Sequence, residues 1–156
     1  MTDVPMPGDA APDFSLPASG GATVSLADFA GKKLVLFFYP KADTSGCTKE
    51  AVAFTEALAA FEAAGAAVVG ASKDTVAKQD KFAAKHELTM PLLSDAESDL
   101  CERFGIWVEK SMYGKKYMGI ERSTFLIGAD GKIAEAWRKV KVPGHVEAVL
   151  KATEAL

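Results

Sequence analysis

The strongest regularity in the chain is a change of hydrophobic period. "LVLFFY" (residues 34–39) is an unbroken apolar run with aromatic and β-branched members, closed by Pro40. Such a run predicts a strand buried on both faces. From Thr48 the period becomes helical: Ala51, Val52, Phe54, Leu58 and Phe61 recur on one side, and Gly65 ends the pattern after residue 64. This predicts an amphipathic helix. "AAVVGAS" (66–72) repeats the buried-strand pattern, and "TVAKQDKFAAKHE" (75–87) reads as a second helix.

The flanking segments carry weaker signals. The N-terminal arm through Gly21 reads as extended, and "ATVSLADFAGKK" as a short strand and turn. "MPLLSD" predicts a short strand or turn, and "ESDLCERFG" a small helix. "EKSMYGKKYMG" (109–119) reads as a mobile loop at a pocket rim or a partner surface, with Met112 and Met118 packing the rim. "RSTFLIGADGKIAEAWRKV" predicts a hairpin turning at its Asp-Gly pair. "PGHVEAVLKATEAL" predicts a last helix, with Pro143 near its start and Val146, Val149 and Leu150 on one side. The order βαβα, short helix, ββα implies an α/β fold: a mixed central sheet flanked by helices on both faces, in one domain spanning residues 1–156. That arrangement fits a thioredoxin-like architecture.

Composition narrows the functional classes. The chain has 156 residues, 49% hydrophobic and 25% charged, which is ordinary globular composition. With 18 Lys+Arg against 21 Asp+Glu, the net charge of -3 gives no general attraction to nucleic acid or to an anionic membrane. The first residues lack an apolar signal region, and no apolar run approaches the ~18 residues of a membrane span. A cytoplasmic location is the expectation. His86 and His145 have no partners at metal-ligand spacing and read as solvated or capping residues. Trp107 and Trp137 read as core or near-core aromatics. No metal, haem or flavin is implied.

Two cysteines, Cys47 and Cys101, are too few for a disulfide framework and lack zinc spacing. Cys47 falls in the first turn of the predicted helix, where unpaired backbone N–H groups and the helix dipole favour negative charge. Thr44 and Ser45 offer hydroxyls or a helix cap, and Gly46 lets backbone approach a small ligand. A lone cysteine is often only a small buried hydrophobe. Against that, the junction of a buried strand with the following helix is where open α/β sheets put their sites.

The segment "PKADTSGC", from Pro40 to Cys47, matches the P-x-x-x-T-x-x-C signature of the peroxiredoxins. "APDFSLP", "GKKLVLFFYPKADTSGCTKEA" and "YGKKYMGIERSTFLIGADGKI" stand in the order found in the PrxQ, or bacterioferritin comigratory protein, branch. The resemblance covers nearly the whole chain. It implies a thiol peroxidase on a thioredoxin fold, reducing hydrogen peroxide and small organic hydroperoxides. By the same resemblance Cys47 is the peroxidatic cysteine, Thr44 hydrogen-bonds the peroxide, Pro40 shields the pocket, and Arg122 holds the thiolate and orients the peroxide. Thioredoxin, glutaredoxin or a low-molecular-weight thiol would be the reductant. Monomer or weak homodimer is the default.

Many members of that branch carry a second cysteine five residues after the first; here that position is Val52. Cys101 is the internal candidate for a resolving role, which would require the first turn of the Cys47 helix to unwind. The alternative for Cys101 is a packing cysteine beside Leu100 and Phe104, with an external thiol then resolving a one-cysteine enzyme. A dithiol oxidoreductase of thioredoxin type needs C-x-x-C, and Thr44 stands where its first cysteine belongs. The remaining alternative is a redox sensor or holdase chaperone that uses Cys47 as a switch.

Overall fold

The computed structural model describes residues 5–156, so the first four residues of the expected extended arm lie outside the described residues. In chain order the elements are Ser15–Pro17 (β1), Thr23–Ser25 (β2), Lys33–Phe38 (β3), Ser45–Glu56 (α1), Leu58–Ala63 (α2), Ala66–Ser72 (β4), Val76–His86 (α3) and Leu92–Ser94 (β5). Leu100–Arg103 (α4), Trp107–Met112 (β6), Lys115–Ile120 (β7), Ser123–Ile127 (β8), Ile133–Trp137 (β9) and His145–Ala155 (α5) follow.

The apolar run forms β3 at the centre of a five-stranded sheet in the order β5-β4-β3-β8-β9. β4 pairs with β3 and β5 with β4 in parallel; β8 pairs with β3 and β9 with β8 antiparallel. The sheet is therefore mixed, as the element order implies. Period-2 alternation sends Leu34, Leu36 and Phe38 into one apolar layer and Val35, Phe37 and Tyr39 into the other.

The layers are covered unequally. Phe54, Phe61, Phe82 and Val149 bring α1, α2, α3 and α5 onto the Phe37 face. The Phe38 face is covered by the β1–β2 ribbon and by the single-turn helix α4, with Phe104 and Phe125 in contact at 4.6 Å between ring centroids. On the helical face Phe54 stacks on Phe37 at 4.5 Å. Burial of such a ring contributes about 1.5–3 kcal/mol. This contact fixes α1 over the carboxyl end of β3, where the strand releases the chain into residues 39–44.

Two expectations are revised. The helix expected over residues 48–64 starts earlier, at Ser45, and is divided at Ala57 into α1 and α2. Alanine is the strongest helix former, so local sequence gives no sign of this break; packing overrides propensity. Residues 109–119, expected as a loop, lie within the antiparallel β6–β7 ribbon. Its turn places Tyr113 and Gly114 at φ 53° and 77°. Positive φ at both central positions is the type I′ pattern, usually announced by Asn-Gly or Asp-Gly, and tyrosine hides it. Met112 and Met118 are exposed on the ribbon rather than packed at a rim.

Candidate active site

Pro40 ends the β3 run, and residues 41–44 lead directly into α1. Asp43 takes a left-handed conformation, φ 62°, which aspartate tolerates better than most residues. Its Oδ2 accepts from Lys85 Nζ at 2.9 Å, and its Oδ1 pairs with His86 Nε2 at 2.8 Å. The His86 bond, then that from Lys85, holds the Asp43 carboxyl below its ordinary value. His86 thus ties the loop to α3 instead of standing free.

A second tie runs underneath. Asp74 Oδ2 accepts from Ala42 N at 2.7 Å and from Ser72 Oγ at 2.6 Å. Gln79 Nε2 donates to Ser72 Oγ and to the Leu93 carbonyl, and its Oε1 accepts from the buried Tyr39 hydroxyl at 2.5 Å. The buried polar groups of this network satisfy one another, which makes the loop position a property of the core. Burial pushes the Tyr39 phenol well above its ordinary value, so it remains a neutral donor.

Thr44 is the N-cap residue of α1, yet its side chain makes no capping bond; Oγ1 donates to the Lys41 carbonyl at 2.9 Å. The N–H groups of Ser45, Gly46 and Cys47 open the helix, and Thr48 N makes the first return bond, to Thr44 O. Unpaired first-turn N–H groups favour an anion beside them. Cys47 is only 1% exposed.

Arg122, one residue before β8, reaches Cys47. Its Nη2 lies 3.2 Å from Sγ, while Nη1 donates to Glu50 Oε1 at 2.8 Å. A Cβ on Gly46 would stand 3.3 Å from Arg122 Nη2, so glycine leaves the guanidinium room to approach. Burial opposes the Arg122 charge, but Glu50 and Cys47 together more than offset it and raise the guanidinium above its ordinary value.

Glu50 is absent from the sequence-based site, and it is the residue that orients Arg122. It lies three positions after Cys47, hence on the same helix face, and it is fully buried. Burial raises its carboxyl to about 7, with Arg122 pulling the other way. Among the described residues Oε2 has no hydrogen-bond partner, and it faces His145 Nε2 at 4.0 Å. His145 is buried, not solvated: Nε2 lies 2.8 Å from Thr124 Oγ1, and burial, then Arg122, lowers its imidazole to about 4. The only sequence signal for Glu50 was a charge among the apolar positions of an amphipathic stripe. For His145 there was none.

The sequence-predicted residues therefore divide. Cys47 and Arg122 meet directly, with Thr44 in the same first turn and Pro40 at the head of the loop. Cys101 lies elsewhere: it is fully buried with Leu100 and Phe104 in the layer on the opposite face of the sheet. Asp95 Oδ2 accepts from Cys101 N at 2.9 Å and Oδ1 from Leu100 N at 3.0 Å, while Lys73 pairs with Asp95. Burial first, then Asp95, pushes the Cys101 thiol well above its ordinary value. The packing alternative describes its surroundings.

Lys110 on β6 is lowered by burial and then by Arg122, which brings the ribbon close to the same charge. Trp107 is partly buried, with Lys73 Nζ 5.1 Å from its ring, and Trp137 packs edge-on to His145, in keeping with near-core positions. Among the described residues no helix is long and apolar enough to cross a membrane.

Residues 7–136 match the model of the AhpC/TSA family. A putative peroxiredoxin bcp of Coxiella burnetii is 49% identical over 143 residues, 92% of this chain and 95% of the relative. Peroxiredoxin Bcp of Bacillus subtilis is 47% identical over 144 residues, 92% of each chain. A structure of Xanthomonas campestris peroxiredoxin Q superimposes with a TM-score of 0.88 at 45% identity, covering 99% of this chain and 97% of that one. The bacterioferritin comigratory protein of the same organism, described in trapped intermediate/ligand complexes that bear on its alkyl peroxide reduction, also gives 0.88, at 44% identity over 99% of this chain and 98% of that one.

Proposed function

The chain belongs to the AhpC/TSA family, as a peroxiredoxin of its Bcp/PrxQ branch and a thiol-dependent peroxidase, and we propose that Cys47 is its peroxidatic sulfur, working in a one-cysteine cycle closed by an external thiol. The observation that carries this reading is the 3.2 Å contact between Arg122 Nη2 and Cys47 Sγ inside the opening turn of α1. A guanidinium in contact with a sulfur in the opening turn of a helix forms a site for the thiolate and for the charge that leaves it.

The Cys47 thiolate attacks one oxygen of the hydroperoxide and forms an S–O bond as the O–O bond breaks. The departing oxygen takes the bonding pair as alkoxide or hydroxide and acquires a proton, giving alcohol or water. Arg122 and the first-turn N–H groups stabilise the charge on that oxygen, Thr44 contributes its hydroxyl by turning it from the Lys41 carbonyl to the peroxide, and Pro40 shields the sulfur from bulk water. Glu50 fixes the guanidinium plane. The sulfur is left as sulfenic acid and must be reduced before a second peroxide oxidises it further.

Hydrogen peroxide and small organic hydroperoxides are the substrates, alkyl peroxide reduction in the Xanthomonas relative supporting the latter. Thioredoxin, glutaredoxin or a small thiol returns the sulfur to the cycle. The placement of Cys101 behind the sheet supports an external reductant. The Cys47, Arg122 and Glu50 set comes from one chain, which fits a monomer or weak homodimer. A thiol-driven cycle suits the cytoplasm.

Peroxide consumption with dithiothreitol or thioredoxin tests the assignment. Turnover in the wild type, its loss in Cys47→Ser, and a sulfenic-acid trap adduct on Cys47 are expected. Oxidation of Cys47 without catalytic turnover would favour a redox switch, and retained turnover in Cys47→Ser would remove Cys47 from the chemistry.

A further inference from the structure

Alongside the Cys47 loop lies a cleft of about 340 Å³ between residues 41–43 and α3. Lys41, Lys78, Lys81 and Lys85 line it, against Asp43 and Asp74, with Phe82 at its base. Lys78, Lys81 and Lys85 are spaced three and four apart, which puts them on one face of α3. The chain as a whole carries a charge of -3, so this positive cleft is a local reversal.

Both aspartates are already engaged by the protein. Asp43 holds Lys85 and His86, and Asp74 holds Ala42 N and Ser72 Oγ. Among the described residues Lys41, Lys78 and Lys81 take part in no ion pair. Three uncommitted ammonium groups around a concave site of ligand size attract an anion and give it fixed points of contact.

Resting on the one-cysteine reading above, we propose that this cleft binds the reductant, and that the reductant is a small peptide thiol bearing two carboxylates. Position supports this. Asp43 on the cleft wall is separated from Cys47 by Thr44 and the opening helical turn, a span of roughly 8–9 Å. A tripeptide reaches about 10 Å, so a ligand with its carboxylates on the lysines brings its sulfur to Cys47 once the Ser45–Gly46 turn opens. The α1 terminus is suited to that opening, because the Thr44 side chain leaves it uncapped.

The anchored thiolate attacks the sulfenic sulfur, an S–S bond forms, the S–O bond breaks, and hydroxide leaves to become water. A second thiolate then attacks the ligand's sulfur in the mixed disulfide. It releases the oxidised disulfide and returns Cys47 as thiolate, so two thiols are oxidised for each peroxide reduced.

The test uses the full-length enzyme with three thiols of different charge: glutathione, with two carboxylates and one ammonium; dithiothreitol, neutral; and cysteamine, cationic. With rates corrected to thiolate concentration, the wild type is expected to favour glutathione over cysteamine at least tenfold in kcat/KM, and 0.5 M KCl to remove most of that preference. In Lys78→Glu/Lys81→Glu the ratio of glutathione to cysteamine is expected to fall at least tenfold, chiefly through KM for glutathione, and Lys78→Arg/Lys81→Arg to restore it. An unchanged ratio overturns the proposal while dithiothreitol turnover leaves the peroxidase reading standing. Selective loss of thioredoxin-driven turnover, with glutathione unaffected, makes the face a protein contact and also overturns it. Absence of turnover with all three thiols while thioredoxin still drives it overturns this inference alone, and absence with thioredoxin as well overturns the peroxidase reading and this inference together.

Discussion

Arg122 and Glu50 form a buried ion pair, Nη1 to Oε1 at 2.8 Å, whose other guanidinium arm lies 3.2 Å from the Cys47 sulfur. One carboxylate on the helix that carries the thiol thereby aims a cation contributed by the far side of β3.

Removal of the guanidinium in Arg122→Gln takes away the charged donor at the sulfur. A loss of about 10²–10³ in the second-order rate with hydrogen peroxide is expected, the scale of deleting one preorganised donor. Stopped-flow Trp fluorescence measures it. A loss below fivefold would assign the arginine a packing role.

The Glu50–His145 contact gives stability a distinctive pH dependence. Burial raises Glu50 from 4.5 to about 7, so the folded chain holds an extra proton between those values and its contribution falls as pH rises through them. His145 is lowered from 6.5 to about 4, so the unfolded chain holds the extra proton there and stability is lost as pH falls through that window. The slopes oppose each other where the windows overlap. Relative to wild type, Glu50→Gln should gain stability steadily as pH rises through the Glu50 window. His145→Asn should gain it as pH falls through the His145 window. Each effect is on the order of 1–3 kcal/mol. Urea midpoints at half-unit pH intervals decide it, and three parallel profiles would show that the two groups do not titrate this way.

Cys101→Ala is expected to cost about 1–2 kcal/mol through the small cavity it leaves, with turnover within twofold of wild type. Intact mass after one equivalent of peroxide, with a sulfenic-acid trap present, should show the adduct on Cys47. Loss of two hydrogens within a monomer would instead make Cys101 the resolving cysteine.

Asp74 supports the loop by accepting from Ala42 N. Asp74→Ala strands that N–H and the Ser72 hydroxyl, at a cost of about 1–3 kcal/mol, and loosens residues 41–44. Faster amide exchange at those residues is expected, together with a lower peroxide rate. Unchanged exchange there would remove Asp74 from loop positioning.

Much of this molecule is legible in the chain because its signals are local. "LVLFFY" must be buried on both sides wherever it lies, and the "GADG" turn joins β8 to β9 with little outside help. The short spacing from Pro40 to Cys47 fits within one strand-to-helix junction, so those residues are found together. Glu50 was hidden because its partner, Arg122, is far away in sequence, and a charge in an apolar stripe has no meaning until that partner is placed. His145 is hidden for the same reason, since its hydrogen-bond partner Thr124 is distant in sequence. The break at Ala57 and the turn at Tyr113 and Gly114 contradict local preference, and only packing or backbone geometry reveals them.

The sheet that separates Cys47 from Cys101 also has a consequence in time. A chain with an internal partner would convert its oxidised sulfur to a disulfide at a rate set by its own dynamics, independent of its surroundings. In the one-cysteine cycle proposed above, the lifetime of the oxidised sulfur is the waiting time for a thiol to arrive, and a second peroxide competes during that interval. The fraction of molecules lost to overoxidation therefore reads the ratio of peroxide to available thiol, and depletion of reductant inactivates the enzyme in proportion to the oxidant it meets.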